Sequence, residues 1–305
     1  MHHVPKKTKL ASKPRPGTRT RTKRSAEKRR PLPRFTDRVS LGQGVSVSPF
    51  CLGTVGNWRL IPAAFEMGIN FFFITTDMHW PYYEASRKGV KALLASRPGI
   101  REEIAVAGVC YPTQPEFQVA PFAELVHAVP RLQWIDVFVA GGVYPRDLLS
   151  RVDVLRALVA EVGRGVVGAS FHDRQAARSA ANLRITDLCY VRYNPVHPGA
   201  RDDLFPHVKR RHAPLFNFKS TTGFVPHDTL RALNVDPGLW YPDATDYYRY
   251  ALSRPQMDGL LFAVDHQRHL EELHRALHRG GLTPAEEEHL EELALLATEA
   301  GSAAG

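Results

Sequence analysis

Chemistry in this chain concentrates in residues that follow short apolar runs. Phe71-Phe72-Phe73-Ile74 gives way to Thr75-Thr76-Asp77-Met78-His79-Trp80-Pro81-Tyr82-Tyr83, a polar and aromatic cluster. His172, Asp173, His197 and Lys219 also stand just past apolar segments. Three histidines and Asp173 could ligate a divalent cation, since imidazole and carboxylate are usual donors. No His-x-x-x-His spacing pairs two of them, and rim histidines commonly hydrogen-bond their own loops, so no metal site is assigned. Lys219 could serve as a cation beside a reacting group or, if desolvated, as a Schiff-base amine; a solvated lysine is the plainer reading. His172 is a second candidate for chemistry at the same rim.

Such groups need a scaffold to hold them. A Gly turn followed by a short apolar run reads as a fully buried strand of the kind a parallel sheet requires. Gly68-Ile69-Asn70 introduces the Phe71 run in this way. Comparable segments at 50–54, 104–109, 135–139, 166–170, 188–191, 215–218 and 259–262 bring the count to eight strands. Helical segments with three- and four-residue apolar spacing separate them, Leu148, Val152, Leu155, Leu158 and Val159 being the clearest. Repeated βα units of this number predict an α/β fold, a closed (β/α)8 TIM barrel with chemistry at the carboxyl ends of its strands. No Gly-x-Gly-x-x-Gly follows any strand, which argues against an open doubly wound sheet. Arg38-Val39-Ser40-Leu41-Gly42 and Val45-Ser46-Val47-Ser48, around Gly42-Gln43-Gly44, predict an N-terminal β-hairpin. Thr283 with Glu286 predicts a capping box for an extra C-terminal helix packed outside. One domain is expected over residues 36–298, with 299–305 frayed.

The net charge of +9 is unevenly placed. Residues 1–34 hold thirteen Lys and Arg against Glu27 alone, a balance of +12, which leaves −3 for the rest. A segment so poor in apolar residues cannot bury enough surface to offset its ordering entropy, so residues 1–35 are expected to be a disordered basic tail. Such an arm could contact nucleic acid or another polyanion weakly through phosphates, although no aromatic residues interleave with the charge. Cys51, Cys110 and Cys189 are widely spaced and sit in or beside strands, as buried structural thiols do. They imply a reducing, cytoplasmic setting. No apolar run is long enough to span a membrane, and the basic start is not followed by the apolar stretch of a signal peptide.

The Gly-Ile-Asn-Phe-Phe run leading to Asp77, with Tyr82 five residues on, resembles the second strand and loop of the aldo/keto reductases. The hairpin followed by Leu52-Gly53-Thr54, the Gly163-to-Ser170 stretch, Arg192-Tyr193-Asn194, Tyr247 to Pro255 and His266 to Leu277 are similar to that family in the same order. The resemblance spans nearly the whole domain. It implies an NADP-linked oxidoreductase acting on a small carbonyl or alcohol, with NADPH as cofactor. It further implies Tyr82 as proton donor, Asp77 in support, Ser170 and Asn194 at the nicotinamide carboxamide and Phe218 stacked on the nicotinamide. His266 and Arg268 would attract the cofactor phosphates while Asp265 repels them. Other expected residues are altered: the family's Lys falls at Val109, its His at Gly141 and its sixth-strand Gln at Tyr190. The resemblance is strongest to a divergent branch with changed catalytic residues. The alternative is therefore a barrel that has lost hydride transfer and works as a non-redox enzyme or ligand-binding protein, with Lys219 and His172 carrying its chemistry.

Overall fold

The computed structural model describes residues 29–303. A two-stranded antiparallel hairpin, β1 (Val39–Gly42) and β2 (Val45–Val47), opens it. Eight strands follow: β3 (Phe50–Val55), β4 (Phe71–Thr75), β5 (Ala105–Cys110), β6 (Val137–Val143), β7 (Val166–Phe171), β8 (Leu188–Arg192), β9 (Leu215–Phe218) and β10 (Gly259–Val264). They close into a parallel barrel in the order β10-β3-β4-β5-β6-β7-β8-β9. Outside it lie α1 (Leu60–Glu66), α2 (Glu84–Ser96), α3 (Ala120–Ala128), α4 (Leu148–Val162), α5 (Arg174–Leu183), α6 (Ala200–Asp203), α7 (His227–Ala232), α8 (Ala244–Leu252), α9 (Gln267–Leu277) and α10 (Pro284–Ala303). The expected TIM barrel, hairpin and extra helix are all present. Among the described residues no helix is long and apolar enough to cross a membrane.

Alternation along the strands fixes what faces the barrel axis. Phe71, Phe73, Ala105, Ala107, Val109, Val137, Val139, Tyr190 and Phe216 pack together inside. Leu41 and Val47 of the hairpin join that cluster, so the hairpin plugs the barrel floor. The intervening residues, such as Leu52, Phe72, Val106 and Phe138, face outward into the layer shared with the helices. Several strands run past their predicted carboxyl ends, β6 furthest. The extra residues there, Gly141 and Gly142, are small and line the barrel mouth, so they carry no apolar signal. Cys51, Cys110 and Cys189 are buried free thiols, as expected.

The amino-terminal boundary differs from the sequence expectation. Residues 1–28 of the predicted basic tail lie outside the described residues. Residues 29–35 pack on the barrel: Leu32 and Phe35 are buried, and the Phe35 ring meets Phe50 edge-on at 4.8 Å. Arg29 forms a forked pair with Glu286 at 2.5 and 2.7 Å and donates to the Gly281 carbonyl. Glu286 also closes the predicted capping box, accepting from the Thr283 amide at 2.9 Å. α10 continues through Ala303, beyond residue 298. Its Glu287 pairs with Arg254, and its Glu291 with Arg201 and the Tyr250 hydroxyl, which clamps it against α8 and the loop after β8.

Candidate active site

A cavity of about 720 Å³ opens at the carboxyl ends of the barrel strands. The strand pairing predicts its walls. Thr75, Ser170, His172 and Phe218 continue the inward-facing series of their strands, and all four line it.

The side beneath β4 and β5 is rich in unpartnered polar atoms. Thr75 Oγ1, Asp77 Oδ1 and His79 Nδ1 are buried without a hydrogen bond among the described residues. Native structures leave few such atoms, and three along one strand end mark a place where a ligand or water completes the set. The other oxygen of Asp77 accepts the Tyr111 amide at 2.5 Å, which ties the β4 loop to the end of β5. The Tyr111 ring meets His79 edge-on at 4.7 Å. Burial, reinforced by the Asp77 carboxylate, pushes the Tyr111 phenol up to about 12.

Tyr82 and Tyr83 lie on a short 3-10 turn, Trp80–Tyr83. Tyr82, five residues after Asp77, reaches only the outer edge of the cavity and is 72% exposed. Its neighbour Tyr83 turns inward, packs on Phe73 and lines the interior. Burial, with smaller contributions from Tyr111 and Cys51, raises the Tyr83 phenol well above its ordinary range. Both inner phenols therefore stay protonated at neutral pH. The longer loop between Asp77 and the turn is what moves the inward position on by one residue.

The positions where the resemblance placed a Lys and a His have a structural account. Val109 is fully buried in the barrel interior, one inward layer below Tyr111. A Cβ on Gly141 would lie 2.6 Å from Cε1 of Tyr111, so the Tyr111 ring occupies the space a side chain at 141 would need. Beneath this pair lies a fully buried cation that sequence reading missed. Arg151 of α4 donates to the Gly141 carbonyl at 2.9 Å and to the Cys110 carbonyl at 3.2 Å. Asp147 lies 3.8 Å from its guanidinium. The Asp77 carboxylate favours the charged form, although burial opposes it more strongly.

The side formed by β7, β8 and β9 carries the expected cofactor residues. Ser170 Oγ accepts the Gly142 amide at 2.8 Å, which leaves its hydroxyl proton for the cavity. Phe218 lines the cavity and meets the His172 ring edge-on at 5.3 Å. Asn194 is spent internally: its amide donates to the Lys219 carbonyl at 2.9 Å and its oxygen accepts the His197 amide at 2.9 Å. Tyr190 is fully buried below, with its hydroxyl 3.4 Å from Cys51 Sγ. Burial, then the charges of Arg192 and Lys219, lower the pKa of both His172 and His197. Lys219 itself is exposed, so the desolvation that a Schiff-base amine requires is absent.

Asp265 lines the β10 side, and His266 and Arg268 are exposed at the start of α9. Asp173 caps α5 by accepting the Ala176 amide at 2.7 Å. Among the described residues no three His, Cys, Asp or Glu groups converge as a metal site. Tyr83, Tyr111, Thr75 and Arg151 are the site residues that motif reading passed over. Following the inward alternation Ala105, Ala107, Val109 one step further would have found Tyr111.

No protein-family model matches the sequence, and no curated protein matches it. Solved structures do match in fold. The thermostable aldo-keto reductase Tm1743, solved with the inhibitor epalrestat, superposes with a TM-score of 0.61 at 18% identity, covering 84% of this chain and 99% of that one. The aldo-keto reductase AKR11C1 from Bacillus halodurans gives a TM-score of 0.62 in both its holo and apo forms, at 16% and 15% identity. Each pairing covers 85% of this chain and 96% of that one. The fold is thus that of the aldo-keto reductases.

Proposed function

We propose that this chain is an oxidoreductase that reduces a small carbonyl compound with a nicotinamide dinucleotide, NADPH, using an altered proton-delivery set. The observation that carries the reading is the convergence of unpartnered Thr75, Asp77 and His79 atoms with two protonated phenols on one wall, opposite Ser170 and Phe218. Those two residues fit a nicotinamide: a hydroxyl proton for its carboxamide and an aromatic ring against its face. Arg268 and His266 at the start of α9 fit a phosphate, with the helix N-terminus behind them. Asn194 and Tyr190 take no part in holding the cofactor.

The bound dinucleotide supplies hydride to the carbonyl carbon. Tyr83 delivers the proton to the oxygen as the C=O π bond breaks. A phenol held protonated is suited to this direction, because a nascent alkoxide is a much stronger base than a phenolate. The reverse oxidation needs a phenolate, which burial disfavours here. Tyr111, fixed by Asp77 through its amide and by His79 through its ring, donates a second hydrogen bond to the substrate oxygen. Arg151 holds the carbonyls of Cys110 and Gly141 and so fixes the two strand ends that carry this wall.

A second reading, a non-redox enzyme or binding protein, is favoured by Val109, Gly141 and the internal commitment of Asn194. NADPH titration followed by its fluorescence separates the two. Micromolar binding that Phe218→Ala weakens tenfold or more supports the oxidoreductase; no NADPH binding at millimolar concentration supports the second reading.

A further inference from the structure

The geometry points to a substrate that carries a compact anionic group, a carboxylate or phosphate, received by Lys219, Arg192 and His172 on the β7–β9 side of the cavity. This deepens the reductase reading by naming its substrate class, but rests only on the cavity.

Register brings the three residues together. Phe171 pairs with Val191 and Arg192 pairs with Phe218, so His172, Arg192 and Lys219 sit within one residue's height on adjacent strands. Neighbouring strands lie about 4.8 Å apart, which is the span of one carboxylate or phosphate. His172 and Arg192 continue the inward alternation of Ser170 and Tyr190. Lys219 would face outward by the same count. Instead its backbone adopts φ +56, a left-handed conformation usually given to Gly or Asn, and it lines the cavity. Asn194 holds that turn by donating to the Lys219 carbonyl. A lysine held in a disfavoured conformation, with its side chain brought to a cavity, suggests a functional constraint on the position.

These charges lack protein counterparts. Neither Lys219 nor Arg192 has a hydrogen-bond or ion-pair partner among the described residues, and Arg192 is half-buried. The nearby acids are engaged elsewhere: Asp173 caps α5, and Asp203 holds Arg174 at 2.7 Å. The acid lining the cavity, Asp265, belongs to β10. Neutral His172 adds a hydrogen-bond donor without a charge to desolvate. An anionic group seated here leaves the rest of a small substrate to extend toward Tyr83 and the unpartnered atoms of the opposite wall.

The test is calorimetric titration of the full chain, without dinucleotide, by malonate and separately by inorganic phosphate. Lys219→Asn is the main variant, because Asn accepts the left-handed backbone and spares the fold. Lys88→Asn, on α2, controls for general loss of charge. The expected result is saturable binding of at least one probe, weakened tenfold or more by Lys219→Asn and by Arg192→Gln but not by Lys88→Asn. Malonate binding tighter than phosphate assigns a carboxylate, and the reverse a phosphate. No saturable binding of either, or equal affinities in wild type and Lys219→Asn, overturns the inference. Anion binding without any reductase activity would leave this inference standing while the reductase reading fell.

Discussion

Tyr111 and Gly141 form one unit at the end of β5 and β6. The ring lies where a side chain at 141 would stand, so the glycine is set by contact and not by backbone freedom. Gly141→Ala should therefore lower stability by about 1–3 kcal/mol, as overpacking usually does, measured by denaturant unfolding. A wild-type unfolding curve from Gly141→Ala would mean that the ring is free to move. Installing a lysine at Val109 is not a route to higher activity either, since that position is fully buried beneath Tyr111 and would hold an unpaired charge. Sequence spacing correctly directed attention to Asp77 and its neighbouring tyrosines. It favoured Tyr82 over Tyr83 because one extra loop residue shifts which ring turns inward, and that shift is set by packing on Phe73.

At the level of elements, the strands were legible because buried parallel strands are continuous apolar runs, and each predicted run became a strand. Their carboxyl ends were not, since mouth-lining residues such as Gly142 and Ser170 are small or polar. The segment 29–35 was misplaced for a related reason. Its basic composition matches the tail, while its anchoring comes from Leu32, Phe35 and the Arg29–Glu286 pair across the molecule. Phe35→Ala should cost about 3–5 kcal/mol, because it empties a site packed against Phe50 and His274. A loss below about 1 kcal/mol in thermal or denaturant unfolding would show that the segment contributes little to the barrel.

For the molecule as a whole, the barrel places two unlike walls across one cavity. One presents protonated phenols and unpartnered polar atoms; the other presents Ser170, Phe218 and the cations of β8 and β9. Those walls come from residues far apart in sequence, Thr75 and Tyr111 against Ser170 and Lys219, so no local motif announces the arrangement. The alternation of inward positions and the strand register, once the barrel is recognised, generate most of it. What they do not generate is the left-handed turn at Lys219 or the reach of Arg151 from α4, which depend on tertiary hydrogen bonds.

The central claim is that this cavity reduces a carbonyl with Tyr83 as the proton donor. It is tested most directly by following NADPH oxidation over a panel of small carbonyl compounds, including 2-oxo acids, with wild type, Tyr83→Phe and Tyr82→Phe. General acid catalysis is worth about 10²–10⁴-fold, so Tyr83→Phe should lower kcat on that scale with NADPH affinity unchanged, while Tyr82→Phe stays within about threefold of wild type. Undiminished turnover in Tyr83→Phe, or a collapse in Tyr82→Phe alone, would contradict the account.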